Sequence, residues 1–333
     1  MSHTFTRRRF LRSAGLLGAG LAWGGFAQAS GFALRIACNP GLENATLEAL
    51  MNQQGLFERF GVDVQTIEIP GVSGPFDAIA AGTADVCFVS GYNLVLPRIE
   101  QGAPVRIIGA GMRKVALAVF ARPGSIATVA DLEGRTVAVG PHLGLLHALM
   151  LQLLKEKGVD ASQVRFIDRG SNDQCHDAVV RGEADACCSS VSHLDDADAL
   201  VPLADGRLWQ ELPRCVFQTA YASTAALAHK RDALVAAAAA HGALYDYLMS
   251  PGAHDAFIEA RRHAQRNFDP ASAQAAWDFN LAQRPYSRDL SLTDADIDYL
   301  QDMYIGLGSL RHRSAIAQVA DMSVAKAAAR LLA

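Results

Sequence analysis

The feature that most constrains the fold is a short stretch that the chain contains twice. Residues 77–90 read DAIAAGTADVCFVS and residues 177–190 read DAVVRGEADACCSS, with the same residue at seven of fourteen positions. The similarity continues upstream, where the triplets ALM and GVD each occur at corresponding places in both halves. Such repetition indicates two copies of one structural unit, so each copy must fold into the same local architecture.

Each copy alternates predicted strands with predicted helices. An apolar run of strand length, Leu34–Cys38 in the first copy and Thr136–Val139 in the second, leads through a turn with Gly and Pro into leucines at helical spacing. A second strand, a short helix and a third strand ending at Ser90 or Ser190 complete the unit. This alternation predicts an α/β fold with two doubly wound lobes, each a parallel sheet covered by helices.

In open α/β sheets, ligands bind outside the carboxyl ends of the strands. Because the repeat directs the same loops of both copies toward such an edge, we predict a small-molecule cleft between the two lobes. Crossover strands are predicted after Ala121 and near residue 222, and helices after Ser250 are expected to pack on the first lobe. The predicted boundaries are residues 32–121 with 223–333 for lobe I and residues 122–222 for lobe II.

The first 29 residues have the pattern of an export signal. A basic start, an uncharged apolar middle and the sequence Ala-Gln-Ala ending at Ala29 predict a secretory signal that is cleaved after Ala29. Residues 6–12, TRRRFLR, also resemble the twin-arginine motif of Tat export. The apolar run of about 14 residues is shorter than the roughly 20 that span a membrane, so we expect an exported, periplasmic protein.

Charge and length exclude some classes of function. Lys and Arg number 30 against 34 Asp and Glu, and without the first 29 residues the balance is 26 against 34. This acidic balance argues against a nucleic-acid partner. A chain of 333 residues exceeds one comfortable core, which favours two domains of moderate size.

The cysteines show no spacing typical of a metal site. No CxxC pair and no nearby paired histidines occur, so we expect neither a metal nor a cofactor. Export would permit a disulfide, and Cys38 with Cys87 is the pair to test because their strands are predicted neighbours. Otherwise the thiols are expected to be small buried side chains. The six cysteines, which allow fifteen full pairings, are Cys38, Cys87, Cys175, Cys187, Cys188 and Cys215.

Two predicted helix starts face the expected cleft. Ser73 and Gly74 precede Pro75 at one of them, and His142 and Gly144 lie at the other. Helix amino termini offer unpaired backbone N–H groups and the positive end of the helix dipole, so each can hold a carboxylate, a sulfonate or a similar anion. Ordinary turn and capping roles are the alternative for these residues.

Polar side chains also follow the third strand of each copy. Ser90, Tyr92 and Asn93 occur at this place in the first copy, and Ser190 and His193 occur at the corresponding place in the second. These groups would supply neutral hydrogen-bond donors and acceptors to a ligand. The competing interpretation is again a turn, a cap or a satisfied histidine.

Four segments resemble a known family. Residues 73–86, 101–110, 129–140 and 158–167 are similar, in order and spacing, to periplasmic solute-binding proteins of the nitrate, sulfonate and taurine ABC-transporter type. The resemblance covers about residues 32–240. It implies the type II periplasmic-binding fold, in which a solute closes two lobes and the closed monomer docks on a permease and ATPase complex. Where that family has a Trp-Glu-Pro-like stretch, this chain has Ser190-Val191-Ser192-His193.

The resemblance adds Asn39 and Glu43 to the candidate ligand-binding residues, because relatives commonly contact the ligand just after the first strand. Glu43 has an alternative role at the start of the next helix, where the dipole favours a carboxylate. The function that follows is the solute-binding component of an ABC importer for a small anionic solute, with no catalytic residue.

Two other functions remain open from the sequence. Sulfinate desulfinases resemble this fold and carry a nucleophilic Cys just after the first strand, where this chain has Cys38. Such chemistry needs a thiolate and a partner base. A sensor that presents its closed form to a membrane kinase is the third reading, and the residues do not separate it from a transporter component.

Overall fold

The computed structural model of the protein describes residues 34–195 and 199–333. The predicted signal in residues 1–29 lies outside the described residues. The strands are β1 (Leu34–Cys38), β2 (Val64–Glu68), β3 (Val86–Ser90), β4 (Val105–Ala110), β5 (Leu117–Ala121), β6 (Thr136–Val139), β7 (Arg165–Asp168), β8 (Ala186–Ser190), β9 (Val201–Arg207) and β10 (Thr219–Ser223). The α-helices are α1 (Leu42–Gln53), α2 (Leu56–Arg59), α3 (Gly74–Ala80), α4 (Tyr92–Glu100), α5 (Leu145–Glu156), α6 (Asn172–Val180), α7 (Leu208–Glu211), α8 (Thr224–His229), α9 (Arg231–Leu248), α10 (His254–Ala264), α11 (Pro270–Gln283), α12 (Asp294–Gly306), α13 (Ile316–Val319) and α14 (Ser323–Leu331).

The repeat forms the same parallel unit in two different sheets. The first sheet has the strand order β2-β1-β3-β10-β4, and the second has the order β7-β6-β8-β5-β9. β1 pairs in parallel with β2 and β3, as β6 does with β7 and β8. We call the parts of the chain that form and cover these sheets lobe I and lobe II. The predicted α/β class with two doubly wound lobes is confirmed.

The fourth strand of each sheet corrects the predicted crossings. β5 pairs antiparallel with β8 and β9, so it belongs to the second sheet although the sequence placed it in lobe I. β10 pairs antiparallel with β3 and β4 in the first sheet, although the sequence placed nearly all of it in lobe II. Both strands are buried, although β10 contains Thr219 and Ser223 where β5 is entirely apolar. Such a short extended run predicts a strand without specifying its sheet.

A repeated aspartate joins the strands of each copy at corresponding places. Asp85 accepts a hydrogen bond from the backbone N–H of Arg35 at 2.8 Å, and Asp185 accepts one from Thr136 at the same distance. Each contact ties the residue before the third strand of its copy to the first strand. Asp85 and Asp185 therefore have the same structural role in the two copies.

Several helices begin where side chains satisfy their first N–H groups. Ser171 and Gln174 form a capping box at α6, Thr293 does the same with Asp296 at α12, and Asp269 caps α11 ahead of its first-turn proline. The starts of α11 and α12 confirm helices expected from the sequence after residue 250.

The C-terminal helices pack mainly on lobe I. α10 contacts α1, α12 contacts α4, and α13 and α14 contact β4. α11 is different because it also packs against the short turn Val191–His193 of lobe II. Phe279 of α11 meets Trp209 of α7 edge to face, with 5.1 Å between ring centroids. The helix pair α10 and α11 therefore contacts both lobes.

Within residues 34–195 and 199–333, no helix combines the length and the apolar character that crossing a membrane requires.

Candidate functional site

A cleft lies at the carboxyl ends of the strands, between the two lobes. One part of it, with a volume of about 550 Å³, is lined largely by apolar residues, and we call it the apolar compartment. The adjoining part, of about 500 Å³, is lined mainly by polar residues, and we call it the polar compartment. The two share the lining residues Asn39, Val89, Ser90, Gly91, Leu145, Ser171, Asn172 and Phe217. Such a concave site of mixed polarity is typical of small-molecule binding.

Helix amino termini from both lobes meet this cleft. The N-cap residues of α1, α4 and α5 are Gly41, Gly91 and Gly144, and none of these caps has a side-chain hydrogen bond. All three glycines line the cleft. At Gly144 a Cβ atom would lie 2.8 Å from the Pro141 carbonyl oxygen, which explains the glycine there. The cleft therefore receives N–H groups without side-chain caps and the positive ends of three helix dipoles.

Arg261 of α10 brings a buried positive charge to the polar compartment. The residue is 7% exposed, and its Nη2 donates to Ser192 Oγ of lobe II at 3.2 Å. Its Nε has no hydrogen-bond partner, and no ion pair of Arg261 occurs among the described residues. Burial lowers the pKa of its guanidinium, against a smaller opposing effect of Glu43. A buried cation without a counter-charge destabilises a protein unless a ligand supplies one.

Ser192 is oriented so that it can donate a hydrogen bond beside Arg261. Its Oγ accepts from Arg261 and also from the hydroxyl of Ser190 at 3.1 Å. Because both lone pairs of a hydroxyl oxygen are then used, its own hydrogen is available for an acceptor in the cleft. Arg261 and Ser192 therefore form a paired donor site for an anionic group.

Glu43, in the first turn of α1, brings a negative charge to the polar compartment. Its Oε1 accepts from Gln218 Nε2 at 3.0 Å and from the Tyr286 hydroxyl at 3.4 Å. Gln218 belongs to the segment that crosses back to lobe I, and Tyr286 follows α11. The carboxylate is thus fixed by two donors that are remote from it and from each other in the sequence.

Six of the ten predicted ligand-binding residues line the cleft. They are Asn39, Glu43, Ser90, Asn93, His142 and Ser190. Asn39 and Ser90 line both compartments, at the ends of β1 and β3. Loops of both copies therefore line the same cleft. Contact between these six residues and a ligand stays a prediction.

The other four do not line either compartment. Gly74 packs against Ile69, whose Cγ2 would lie 2.8 Å from an added Cβ, and Ser73 precedes it at the N-cap of α3. Tyr92 is 1% exposed and points into the core of lobe I. His193 contacts Asp173, with 3.2 Å between Nε2 and Oδ1, and its ring stacks on that of His176.

Several lining residues were not found from the sequence. Phe217 and Tyr221 of the returning segment and Leu145 of α5 line the apolar compartment. Ser171 and Asn172 at the start of α6 line both compartments, and their capping-box pattern was a signal that could have revealed them. Arg261 lies beyond the residues that carry the family resemblance, so neither repeat nor motif pointed to it.

The cysteines form no disulfide in the described residues. All six are free, including the pair Cys38 and Cys87 that was proposed for testing. Cys38 lines a small separate pocket beneath α1 together with Glu48 and His241, and Cys87 lines the apolar compartment. Burial raises the pKa of Cys38 to about 12 and that of Cys87 to about 11. No group of three or more His, Cys, Asp or Glu residues in the described part is arranged to hold a metal ion.

Comparison with known proteins places this architecture in a family. A protein-family model described as NMT1/THI5 like matches residues 45–250, which include the repeated stretches 77–90 and 177–190. The chain belongs to the NMT1/THI5-like family. Arg261 lies outside the matched residues of this NMT1/THI5-like chain. No curated protein matches the sequence.

Solved structures share the fold of this NMT1/THI5-like protein at low identity. The periplasmic aliphatic sulphonate binding protein SsuA from Escherichia coli has a TM-score of 0.72 and 17% identity, over 86% of this chain and 91% of that chain. The alkanesulfonate-binding protein SsuA from Xanthomonas axonopodis pv. citri, bound to MOPS, has a TM-score of 0.67 and 19% identity, over 86% and 97%. A DSZB mutant in complex with biphenyl-2-sulfinic acid has a TM-score of 0.64 and 13% identity, over 89% and 98%. The fold and the family relationship predicted from the sequence are confirmed.

Proposed function

We propose that the chain is the solute-binding component of an ABC importer and that it binds a small organic solute with an anionic group. The single observation that carries this proposal is the buried Arg261, which has no ion pair among the described residues and lines a cleft between two lobes. Uncapped amino termini of α1, α4 and α5 add to the preference for an anion. The sulphonate-binding proteins with the same fold are consistent with this role.

Export and partners follow from the same proposal. The twin-arginine pattern and the Ala-Gln-Ala sequence ending at Ala29 support transport to the periplasm with cleavage after that residue. There the monomeric chain would deliver its solute to a permease and ATPase complex. The domain boundaries in this proposal follow the sheets, with lobe II formed around β5 to β9 and lobe I by the other described elements.

We infer that the chain is not an enzyme. The alternative is an enzyme that uses Cys38 on a sulfinate, since DSZB has the same fold. The Cys38 thiol, however, lines its own small pocket and not the cleft. Its raised pKa keeps the thiol protonated at neutral pH, and a protonated thiol is a poor nucleophile. This arrangement favours binding over Cys38 chemistry.

Thermal unfolding with candidate solutes tests the proposed function. A solute at about 100 times its Kd stabilises the folded protein by about 2.7 kcal/mol, which raises the Tm by about 5 °C. The panel contains alkanesulfonates, taurine, carboxylates and nitrate. The proposal is abandoned if none of them changes the Tm and native mass spectrometry of the purified protein detects no retained solute.

The variant Arg261→Gln gives the sharper result. Without the buried cation the solute should lose roughly 100-fold in affinity, because its anionic group has no counter-charge. The ligand-free variant should keep or exceed the Tm of the original protein, since an uncompensated buried charge has been removed. Arg262→Gln is the matched control, because Arg262 is the next residue of α10 and its exposed side chain pairs with Glu259. Equal losses of affinity in both variants would contradict the assignment.

A further inference from the structure

The charged side chains that line the cleft limit which solutes it can bind. Among the described residues that line the two compartments, the charged ones are Glu43, Asp173 and Arg261. Asp173 already has His193 as a partner, and its side chain is 76% exposed. Glu43 and Arg261 are therefore the two charges that a bound solute must meet.

Glu43 uses only one carboxylate oxygen within the protein. Gln218 and Tyr286 both donate to Oε1, and both donors are neutral. No ion pair of Glu43 within 4.0 Å occurs in the described part of the chain. Its Oε2 accepts no hydrogen bond there, so this oxygen and most of the negative charge remain available to a solute.

Glu43 and Arg261 share the polar compartment but do not pair with each other. Each is fixed by other groups: Arg261 by Ser192 of lobe II, and Glu43 by Gln218 and Tyr286. A solute with only an anionic group would compensate Arg261 and place a second negative charge near Glu43. In a partly desolvated cleft that repulsion costs affinity, whereas a solute with both charges compensates both residues.

We propose that the solute is dipolar, with a carboxylate or sulfonate that binds Arg261 and Ser192 and a protonated amine that binds Oε2 of Glu43. This inference rests on the proposed function, because it uses the same cleft. The carbon skeleton between the charged groups would then lie in the polar compartment, beside Leu145 and Phe217, which line both compartments. Glu43 becomes the residue that selects for the amine.

Matched pairs of solutes separate this inference from the proposed function. Isothermal titration of the exported chain compares taurine with ethanesulfonate, and β-alanine with propionate, because the members of each pair differ by the amine alone. N-acetyltaurine keeps the two-carbon chain and the sulfonate of taurine, and its added acetyl group removes the positive charge. We expect the amine-bearing member of at least one pair to bind about tenfold more tightly than the member without it, and N-acetyltaurine to lose that gain.

The variant Glu43→Gln tests the residue. Glutamine keeps an oxygen that accepts from Gln218 and Tyr286, so the local structure should be retained, and a melting curve verifies it. The amine preference should fall to within about twofold, while binding of the amine-free solutes stays equal or improves. Glu48→Gln is the control, because Glu48 lies on the same helix but lines the separate pocket beneath α1. This control should keep the amine preference.

The possible results of these titrations separate failure of the dipolar inference from failure of the proposed function. Binding of amine-free solutes as tightly as their amine-bearing partners overturns the dipolar inference and leaves the proposed function standing. An amine preference that persists in Glu43→Gln overturns the role given to Glu43. If no member of either pair binds, and the wider panel also fails, the proposed function falls together with the inference.

Discussion

At the scale of single residues, Cys38 is the side chain whose chemistry decides between binding and catalysis. Its Sγ lies 3.9 Å from the Ile67 carbonyl oxygen in a small pocket beneath α1. Burial, with smaller contributions from Glu48 and Cys87, raises the pKa of the thiol to about 12. The thiolate fraction at neutral pH is therefore far below that of an ordinary cysteine.

This pKa gives a direct prediction for reactivity. Iodoacetamide at pH 7.5 should modify Cys38 at least about a hundredfold more slowly than a free cysteine, and the rate should keep rising with pH well past 9. Cys38→Ser should bind the solute within about twofold of the original protein, as measured by isothermal titration. Rapid alkylation of Cys38 at neutral pH, or loss of binding on its substitution, would argue for the catalytic reading instead.

Arg261 and Arg262 illustrate what a sequence leaves undetermined at this scale. The two residues are adjacent and identical in type, yet Arg261 is buried in the cleft while Arg262 is exposed and contacts Glu259. A rotation of about 100° per helical residue separates them, and the packing of α10 on α1 decides which one faces inward. Glu43 was found from its position after the first strand, but its partners Gln218 and Tyr286 come from remote segments that no local pattern connects.

At the scale of elements, Asp85 connects β1, β3 and the junction of α8 with α9. Its carboxylate binds Arg35 at 2.9 Å and Lys230 at 2.8 Å. Burial opposes ionisation of Asp85, but the hydrogen bonds from Arg35 and Lys230 outweigh it and hold the pKa of this carboxyl below its ordinary value. The folded state thus favours the ionised form of Asp85.

Asp85→Asn is expected to lower the free energy of unfolding by about 2 kcal/mol at pH 7, because two basic groups lose their partner. Since the folded-state pKa is depressed, this contribution is present above about pH 4 and disappears as the pH falls through the folded-state value. Urea denaturation of both proteins between pH 7 and pH 3 measures it. A difference between them that stays constant over this range would contradict the ionised contact.

Asp185→Asn is the matched control for that experiment. Asp185 occupies the same place in the second copy and accepts from Thr136, which carries no charge, where Asp85 meets Arg35. Its substitution should therefore cost clearly less than that of Asp85. The reverse order would show that the backbone contact, and not the ion pairs, stabilises the repeat.

The elements themselves were largely predictable. β1 and β6 have the predicted bounds, because apolar runs between turns are a local property of the sequence. The helix predicted after the turn with Gly and Pro in the second copy is α5, which begins at Leu145 with Gly144 as its N-cap. The sheets of β5 and β10 were misassigned, because strand pairing across the molecule is decided by long-range contacts that leave no mark on a single buried strand.

At the scale of the whole molecule, the helix pair α10 and α11 joins the lobes at a third place besides the two crossing segments. Arg261 reaches Ser192, and Phe279 meets Trp209, so both contacts link a helix of the C-terminal region to lobe II. Any motion that separates the two lobes would have to break both of these contacts. We therefore expect these contacts to slow the release of a bound solute.

Phe279→Leu tests this expectation. Leucine keeps most of the buried volume but removes the edge-to-face contact with Trp209. An aromatic pair of this kind contributes about 0.5–1.5 kcal/mol beyond the burial of its surface. Solute dissociation, followed by stopped-flow fluorescence, should become about two- to tenfold faster. Phe57→Leu is the control, because Phe57 contacts His241 within lobe I. An unchanged dissociation rate in Phe279→Leu would show that the α11 contact does not restrain the lobes.

The strand order has a consequence for how the chain is made. In the first sheet β10 lies between β3 and β4, so a slot between them stays empty until residues 219–223 leave the ribosome. All the strands of the second sheet are contiguous, between residues 117 and 207, and are synthesised before that slot can be filled. The amino-terminal half of the protein therefore completes its sheet last, after the inserted half has emerged.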